Sequence, residues 1–252
     1  MNRFRFPARL HRLAARYPRL SRWLLNRFDR SRFTGLPLML LAGILLFNGY
    51  LFSEITENII NAELMVKVDQ QVTQWLFQHR SVALSQFLYR LTFAGQNLIV
   101  LPLAIGVSGL LLWQRRWFDA LLIWIVLAGI GLSIEIGKPV FHRVRPANMG
   151  YYTVKTFSFP SGHSATALGF YGLLLYLWLH EKIRPLWRWT GLLACLGLIG
   201  LIGFSRLYLG VHFLSDVAGG YLLGLSWLTV GAGLRVWRTF QSRIYSRNIK
   251  ST

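Results

Sequence analysis

A chain of 252 residues that is 54% hydrophobic and only 15% charged carries too much apolar sequence for an ordinary soluble domain. Its apolar runs approach the roughly 20 residues that cross a bilayer. The net charge of +19 does not mark a nucleic-acid binder, because Lys and Arg fall between apolar runs and at the ends rather than on one basic domain. The single Cys195 lies inside an apolar run, which excludes a disulfide framework and a thiolate metal cluster.

The first 35 residues hold ten arginines (Arg3, Arg5, Arg9, Arg12, Arg16, Arg19, Arg22, Arg27, Arg30 and Arg32) against one acid, Asp29. Such a segment stays on the cytoplasmic side. Leu10, Leu13, Tyr17, Leu20, Leu24 and Phe28 recur at helical spacing among those arginines. The spacing predicts an amphipathic helix lying on anionic headgroups, with a disordered basic tail as the alternative.

Six apolar stretches follow, at about 36–53, 97–114, 118–137, 164–180, 189–205 and 213–234. They predict an all-α integral membrane bundle of six transmembrane helices. The expected organisation is a basic segment 1–35, a membrane domain 36–235 and a basic tail 236–252. With the N-terminus inside, residues 54–96, 138–163 and 206–212 lie outside. Arg115, Arg116, Lys182, Arg184, Arg188 and the C-terminal cations Arg235, Arg238, Arg243, Arg247 and Lys250 then lie inside, as the positive-inside bias requires. In the long first outer loop, Val68, Val72, Trp75, Leu76, Leu84, Phe87, Leu88 and Leu91 recur at helical intervals beside Glu54, Glu57, Glu63 and Asp69. This predicts short amphipathic helices against the outer leaflet, covering the site or merely connecting two spans.

Ionisable groups at the mouths of spans are functional candidates, since they are expensive near a bilayer. Three groups meet that description: Lys138 through Arg145-Pro146 after the third span, Pro160-Ser161-Gly162-His163 before the fourth, and Ser205-Arg206 with His212 and Asp216 around the last two. The topology brings all three to the outer surface. If the sixth span begins near His212, Asp216 lies one turn deeper on the same face. Its carboxylate then holds one imidazole nitrogen and leaves the other free as a nucleophile, although an interfacial histidine beside a chance carboxylate has the same spacing.

Ser161 and Gly162 read as a helix start that favours an anion, and His163 on that turn is able to protonate a leaving alkoxide. Any loop-to-helix junction shares that four-residue pattern. Lys138, Arg145 and Arg206 supply three cations for a phosphoryl dianion, on the side where the charge bias is otherwise against them. His142 and Arg143 read as surface or headgroup contacts. Glu135 is a helical partner for Lys138 or faces a water-filled cavity, and Tyr151, Tyr152 and Tyr208 are candidates for the pocket mouth.

The set Lys-x6-Arg-Pro (138–146), Pro-Ser-Gly-His (160–163) and Ser-Arg-x5-His-x3-Asp (205–216) resembles the three-part motif of the type 2 phosphatidic acid phosphatase superfamily, the lipid phosphate phosphatases. The resemblance covers about residues 95–235. It implies hydrolysis without metal or other cofactor, in which His212 attacks phosphorus, Asp216 orients it and His163 protonates the departing oxygen. It also implies that Lys138, Arg145, Ser161, Gly162 and Arg206 grip the phosphoryl oxygens. The expected partners are a phosphorylated lipid and the bilayer, and no nucleic acid. Undecaprenyl diphosphate, phosphatidylglycerol phosphate and phosphatidic acid are the substrate types suggested by analogy. The expected location is a bacterial inner membrane, with the site on the outer side. A lipid phosphotransferase, a lipid A phosphatase and a non-catalytic anionic-lipid binder remain as rival readings.

Overall fold

A computed structural model of the chain describes residues 33, 35–61 and 64–249. The arginine-rich segment, with its expected in-plane helix, lies outside them. Every regular element among the described residues is helical. In chain order these are α1 (Leu36–Ile60), α2 (Leu64–Gln78), α3 (Val82–Thr92), α4 (Asn97–Trp113), α5 (Trp117–Phe141), α6 (Gly162–Thr166), α7 (Gly172–Leu179), α8 (Pro185–Tyr208) and α9 (Leu214–Ile249). A 3₁₀ turn, Phe93–Gly95, links α3 to α4, and a π-helical turn, Ala167–Tyr171, links α6 to α7.

Four of these helices are long and apolar enough to cross a membrane: α1, α5, α8 and residues 214–242 of α9. The pair Val82–Gly95 and Asn97–Trp113, bent by 45°, makes a fifth if taken as one span. The stretch expected at 164–180 is helical without interruption over residues 162–179, with the π-helical turn set between α6 and α7. The expected outer-loop helices are present as α2 and α3, but the periodicity was one residue out of phase on α2. Its buried residues are Asp69, Thr73 and Leu76, whereas Trp75 is 59% exposed.

The chain divides into two units, residues 45–235 and residues 1–44 with 236–252. Within the smaller one, the rings of Phe33 and Phe240 stand 6.3 Å apart. The larger unit holds the site. Its main core joins Val100 and Ala104 of α4, Ile123, Val126 and Ile130 of α5, Ala165 of α6 and Leu173 of α7.

Lipid tails are as apolar as leucine, so helices in a bilayer associate through close packing and hydrogen bonds rather than expulsion of water. Small residues therefore decide which helices touch. A Cβ on Gly220 of α9 would lie 2.5 Å from the Ser161 carbonyl oxygen, and one on Gly224 would lie 2.4 Å from that of Ala165. Backbones of α9 and α6 thus meet directly, fixing the two motif-bearing helix starts against each other. Asn48 Nδ2 donates to Leu222 O at 2.6 Å, and Trp227 Nε1 to Ser133 Oγ at 3.0 Å, tying α1 and α5 to α9. The turn after α8 depends on Gly210, whose φ of +66° and approach to Met149 O leave no room for a side chain.

Candidate active site

The turn at residues 209–213 carries His212 out of α8 and into α9, which starts at Leu214. His212 therefore precedes the helix rather than standing on its first turn, as the spacing had suggested. The contact to Asp216 still forms: His212 Nδ1 lies 3.4 Å from Asp216 Oδ2, which also accepts the Phe213 backbone N–H at 2.8 Å. On the other side of the ring, Arg145 Nη1 stands 3.0 Å from His212 Nε2. A guanidinium is only a donor, so Nε2 is the acceptor and the ring proton belongs on Nδ1, toward Asp216. Burial, reinforced by Arg206, Arg145 and Lys138, holds His212 well below the ordinary histidine range. The imidazole is neutral, and its Nε2 lone pair is turned toward the cations, where it accepts from Arg145.

Those cations are held by the loop between α5 and α6. Arg145 donates from Nε to Thr156 O at 2.7 Å and from Nη2 to Phe157 O at 3.1 Å, and Nη1 also reaches Val211 O. Burial and then Arg206 lower it to about 10, so it remains cationic at neutral pH. Lys138, at the end of α5, donates to Thr156 Oγ1 at 3.1 Å. Arg206 is buried on α8, with Nη1 donating to Tyr152 OH at 2.6 Å and Thr92 Oγ1 at 2.9 Å. Tyr152 is thus a clamp on Arg206, while Tyr208 lies buried and accepts the Ser81 N–H at 2.7 Å.

Ser161 sits at the N-cap position of α6 without a capping hydrogen bond. Its amide is used by Asp216 O at 2.9 Å, and its hydroxyl accepts from Ser164 at 3.0 Å. The space beside Gly162 is open, for a Cβ there would meet only Ile134 Cγ2 at 3.8 Å. His163 Nε2 and Arg206 Nε are buried here without a hydrogen-bond partner, and His212 Nδ1 has only its 3.4 Å contact to Asp216. Buried polar atoms are rarely left so. An oxyanion is the ligand that suits the first two together with the surrounding cations.

A cavity of about 440 Å³ borders His163 on the side of α4 and α5. Gln96, Asn97 and Glu135 give it polar walls, and Leu98, Ile130 and Ile134 apolar ones. Glu135 lines this cavity and stays within electrostatic reach of Lys138, without a close ion pair between them among the described residues.

Two residues carry more of this region than the sequence suggested. Arg143, read as a surface contact, has only 9% of its side chain exposed and donates to Asp216 Oδ1 and to Asp69 Oδ2, both at 2.6 Å. Asp69, read as one acid of the outer loop, is fully buried and accepts the Ser215 amide at 2.9 Å. His142 does remain peripheral, exposed and in the left-handed conformation that ends α5.

Residues 117–240 match the PAP2 superfamily. Over 182 residues the chain is 30% identical to phosphatidylglycerophosphatase B of Bacillus subtilis (strain 168), spanning 70% of this chain and 87% of that protein. A shorter match, 36% identical over 104 residues, covers 38% of this chain and 44% of the undecaprenyl-diphosphatase of Sulfolobus acidocaldarius. The crystal structure of a transmembrane PAP2 type phosphatidylglycerolphosphate phosphatase from Bacillus subtilis aligns with a TM-score of 0.66 at 28% identity, over 77% of this chain and 95% of that one. LpxE of Aquifex aeolicus shares the fold, with a TM-score of 0.53 at 21% identity over 66% of this chain and 94% of that one.

Proposed function

The chain belongs to the PAP2 superfamily, and from that premise we propose that it is an integral membrane phosphatase that hydrolyses a lipid phosphate ester through a phosphohistidine on His212. The observation that carries this reading is the neutral His212 ring, with Nε2 aimed at Arg145 and Nδ1 turned to Asp216. A phosphoryl group entering beside Arg145 meets the lone pair of Nε2 in line. Its equatorial oxygens take hydrogen bonds from Arg145, Lys138 and Arg206, with the Ser161 hydroxyl and the Gly162 amide at the start of α6. Fixed donors of this kind stabilise the transition state because they are already oriented when charge shifts.

As the Nε2–P bond forms and the P–O bond to the lipid breaks, His163 gives its proton to the departing oxygen. The bound dianion offsets the cations around His163 and so favours its protonated form. In the second half, His163 takes a proton from water, whose oxygen attacks the phosphohistidine and releases inorganic phosphate. The side of His163 that opens into the cavity of about 440 Å³ receives the leaving alcohol. The apolar walls there suit the first carbons of a lipid tail, and Gln96, Asn97 and Glu135 suit hydroxyls near the phosphate.

The six-span topology follows if residues 162–179 cross the bilayer despite their π-helical turn, with both termini and the Arg116–Glu181 pair inside and the site outside. Phosphatidylglycerol phosphate and undecaprenyl diphosphate are the first substrates to try, given the relatives. Phosphate release by the purified protein from a panel of such lipids, with EDTA present, tests the proposal. Turnover by the unmodified protein and none by His212→Ala is expected; equal turnover by both contradicts the mechanism.

A further inference from the structure

Helix α2 buries Asp69, Thr73 and Leu76. An amphipathic helix beside a membrane has no need of a carboxylate on its buried face, and burying an ionised one is costly unless it is paired and hydrogen-bonded. Asp69 is paired thoroughly, and each side-chain bond leads to the catalytic segments. Oδ1 accepts the Ser215 amide at 2.9 Å, and Oδ2 accepts Arg143 Nη2 at 2.6 Å and the Ser215 hydroxyl. Arg143 in turn holds Asp216 Oδ1 at 2.6 Å and the Ser215 hydroxyl at 2.6 Å through Nη1, with its guanidinium 4.5 Å from the centroid of Phe213.

We propose that Asp69 and Arg143 are positioning residues for the nucleophile, acting through Asp216: the chain Asp69, Arg143, Asp216, His212 fixes the orientation of the imidazole from a helix of the first outer loop. This rests on the reading of His212 as the nucleophile. The physical reason is geometric. Asp216 stands between the ring and the guanidinium: Oδ2, which also accepts the Phe213 amide, faces Nδ1 while Arg143 holds Oδ1. Asp69 anchors the other arm of the fork and the Ser215 backbone next to Asp216. A lysine at 143 is a point charge and cannot bridge two carboxylates with a planar fork.

Neither residue touches the space where phosphate binds, so their loss is expected in kcat rather than KM. Outer partners of ligating or catalytic side chains typically matter by about 10- to 100-fold. The test compares Asp69→Asn, Arg143→Ala, Arg143→Lys and the double variant Asp69→Asn/Arg143→Ala by steady-state kinetics on whichever lipid phosphate the unmodified protein hydrolyses. Expected is a kcat lowered about 10- to 100-fold in Asp69→Asn with KM nearly unchanged. Arg143→Lys should recover part of what Arg143→Ala loses, and the double variant should lose no more than the worse single one, because the residues act as one unit.

An unchanged kcat in Asp69→Asn, a loss confined to KM, or losses that multiply in the double variant would overturn the proposal. If Asp69→Asn fails to fold, Arg143→Lys decides alone, since a kcat equal to that of the unmodified protein contradicts the bridging fork and a lower kcat at constant KM supports it. Loss of turnover in His212→Ala tests the nucleophile reading, and the variant-to-parent ratio tests the positioning pair, so the two failures are distinct.

Discussion

Arg145 holds five hydrogen-bond donors in a rigid fork, and four of its acceptors are already fixed: Thr156 O, Phe157 O, Val211 O and His212 Nε2. Arg145→Lys keeps the charge and loses that fork, so kcat/KM should fall by about 10²- to 10³-fold, the usual effect of removing one preorganised donor. His212 must be neutral to attack, and its folded value lies below the ordinary histidine range because of burial and then the Arg206 charge. It therefore gains its proton only at a pH below that range, and the acid limb of kcat/KM due to this group should lie below pH 6.5. Arg206→Gln removes the second cause, raises the value and should move that limb upward in pH; a limb that stays still or moves down contradicts the assignment. At this scale the sequence offered His212, Asp216 and Arg145 as candidates, and they lie in contact through His212. It misread Arg143 and Asp69 because their partners are 73 and 74 positions away, beyond any local pattern. The apolar period of α2, read through Val68, Val72 and Trp75, pointed away from the face that buries Asp69 with Thr73 and Leu76.

Among the elements, the contact between α6 and α9 matters most, since it sets Ser161 and His163 against Asp216. Gly220→Leu forces a side chain onto the Ser161 carbonyl, 2.5 Å from the site of its Cβ. Overpacking of this kind costs about 1–3 kcal/mol, so a lower melting temperature in detergent together with lost turnover is expected. Gly131 offers the opposite test, because nothing lies within 4 Å of its Cβ position and it lines the cavity beside His163. Gly131→Trp should raise KM for a long-chain lipid phosphate by a larger factor than for a soluble aryl phosphate. Equal factors would remove the cavity from the leaving-group path. Helix existence was legible from apolar runs, whereas the π-helical turn at Ala167–Tyr171 was not. That turn falls where Gly169 and Gly172 admit Ile130 and Leu228 to close approach, a matter of neighbours rather than of period.

For the whole molecule, the proposed orientation rests on charge. Arg116, Asp119, Glu181 and Arg235 form one paired cluster around the start of α5, while Lys138 and the proposed catalytic groups lie toward its other end. With the former inside, Lys155→Cys in a Cys195→Ser background should react with an impermeant maleimide in intact cells, and Gln114→Cys only after lysis; the reverse pattern inverts the proposed topology. The joint motif pattern and the positive-inside bias led to this proposed arrangement from the sequence, because both are properties of order along the chain. The central claim is that His212 carries the phosphoryl group. Rapid quenching of the protein during turnover of a lipid labelled in its phosphate, followed by peptide mapping, tests it most directly. An acid-labile label on the peptide containing His212, absent in His212→Ala, is expected; turnover with the label on another residue, or label retained in His212→Ala, would contradict it.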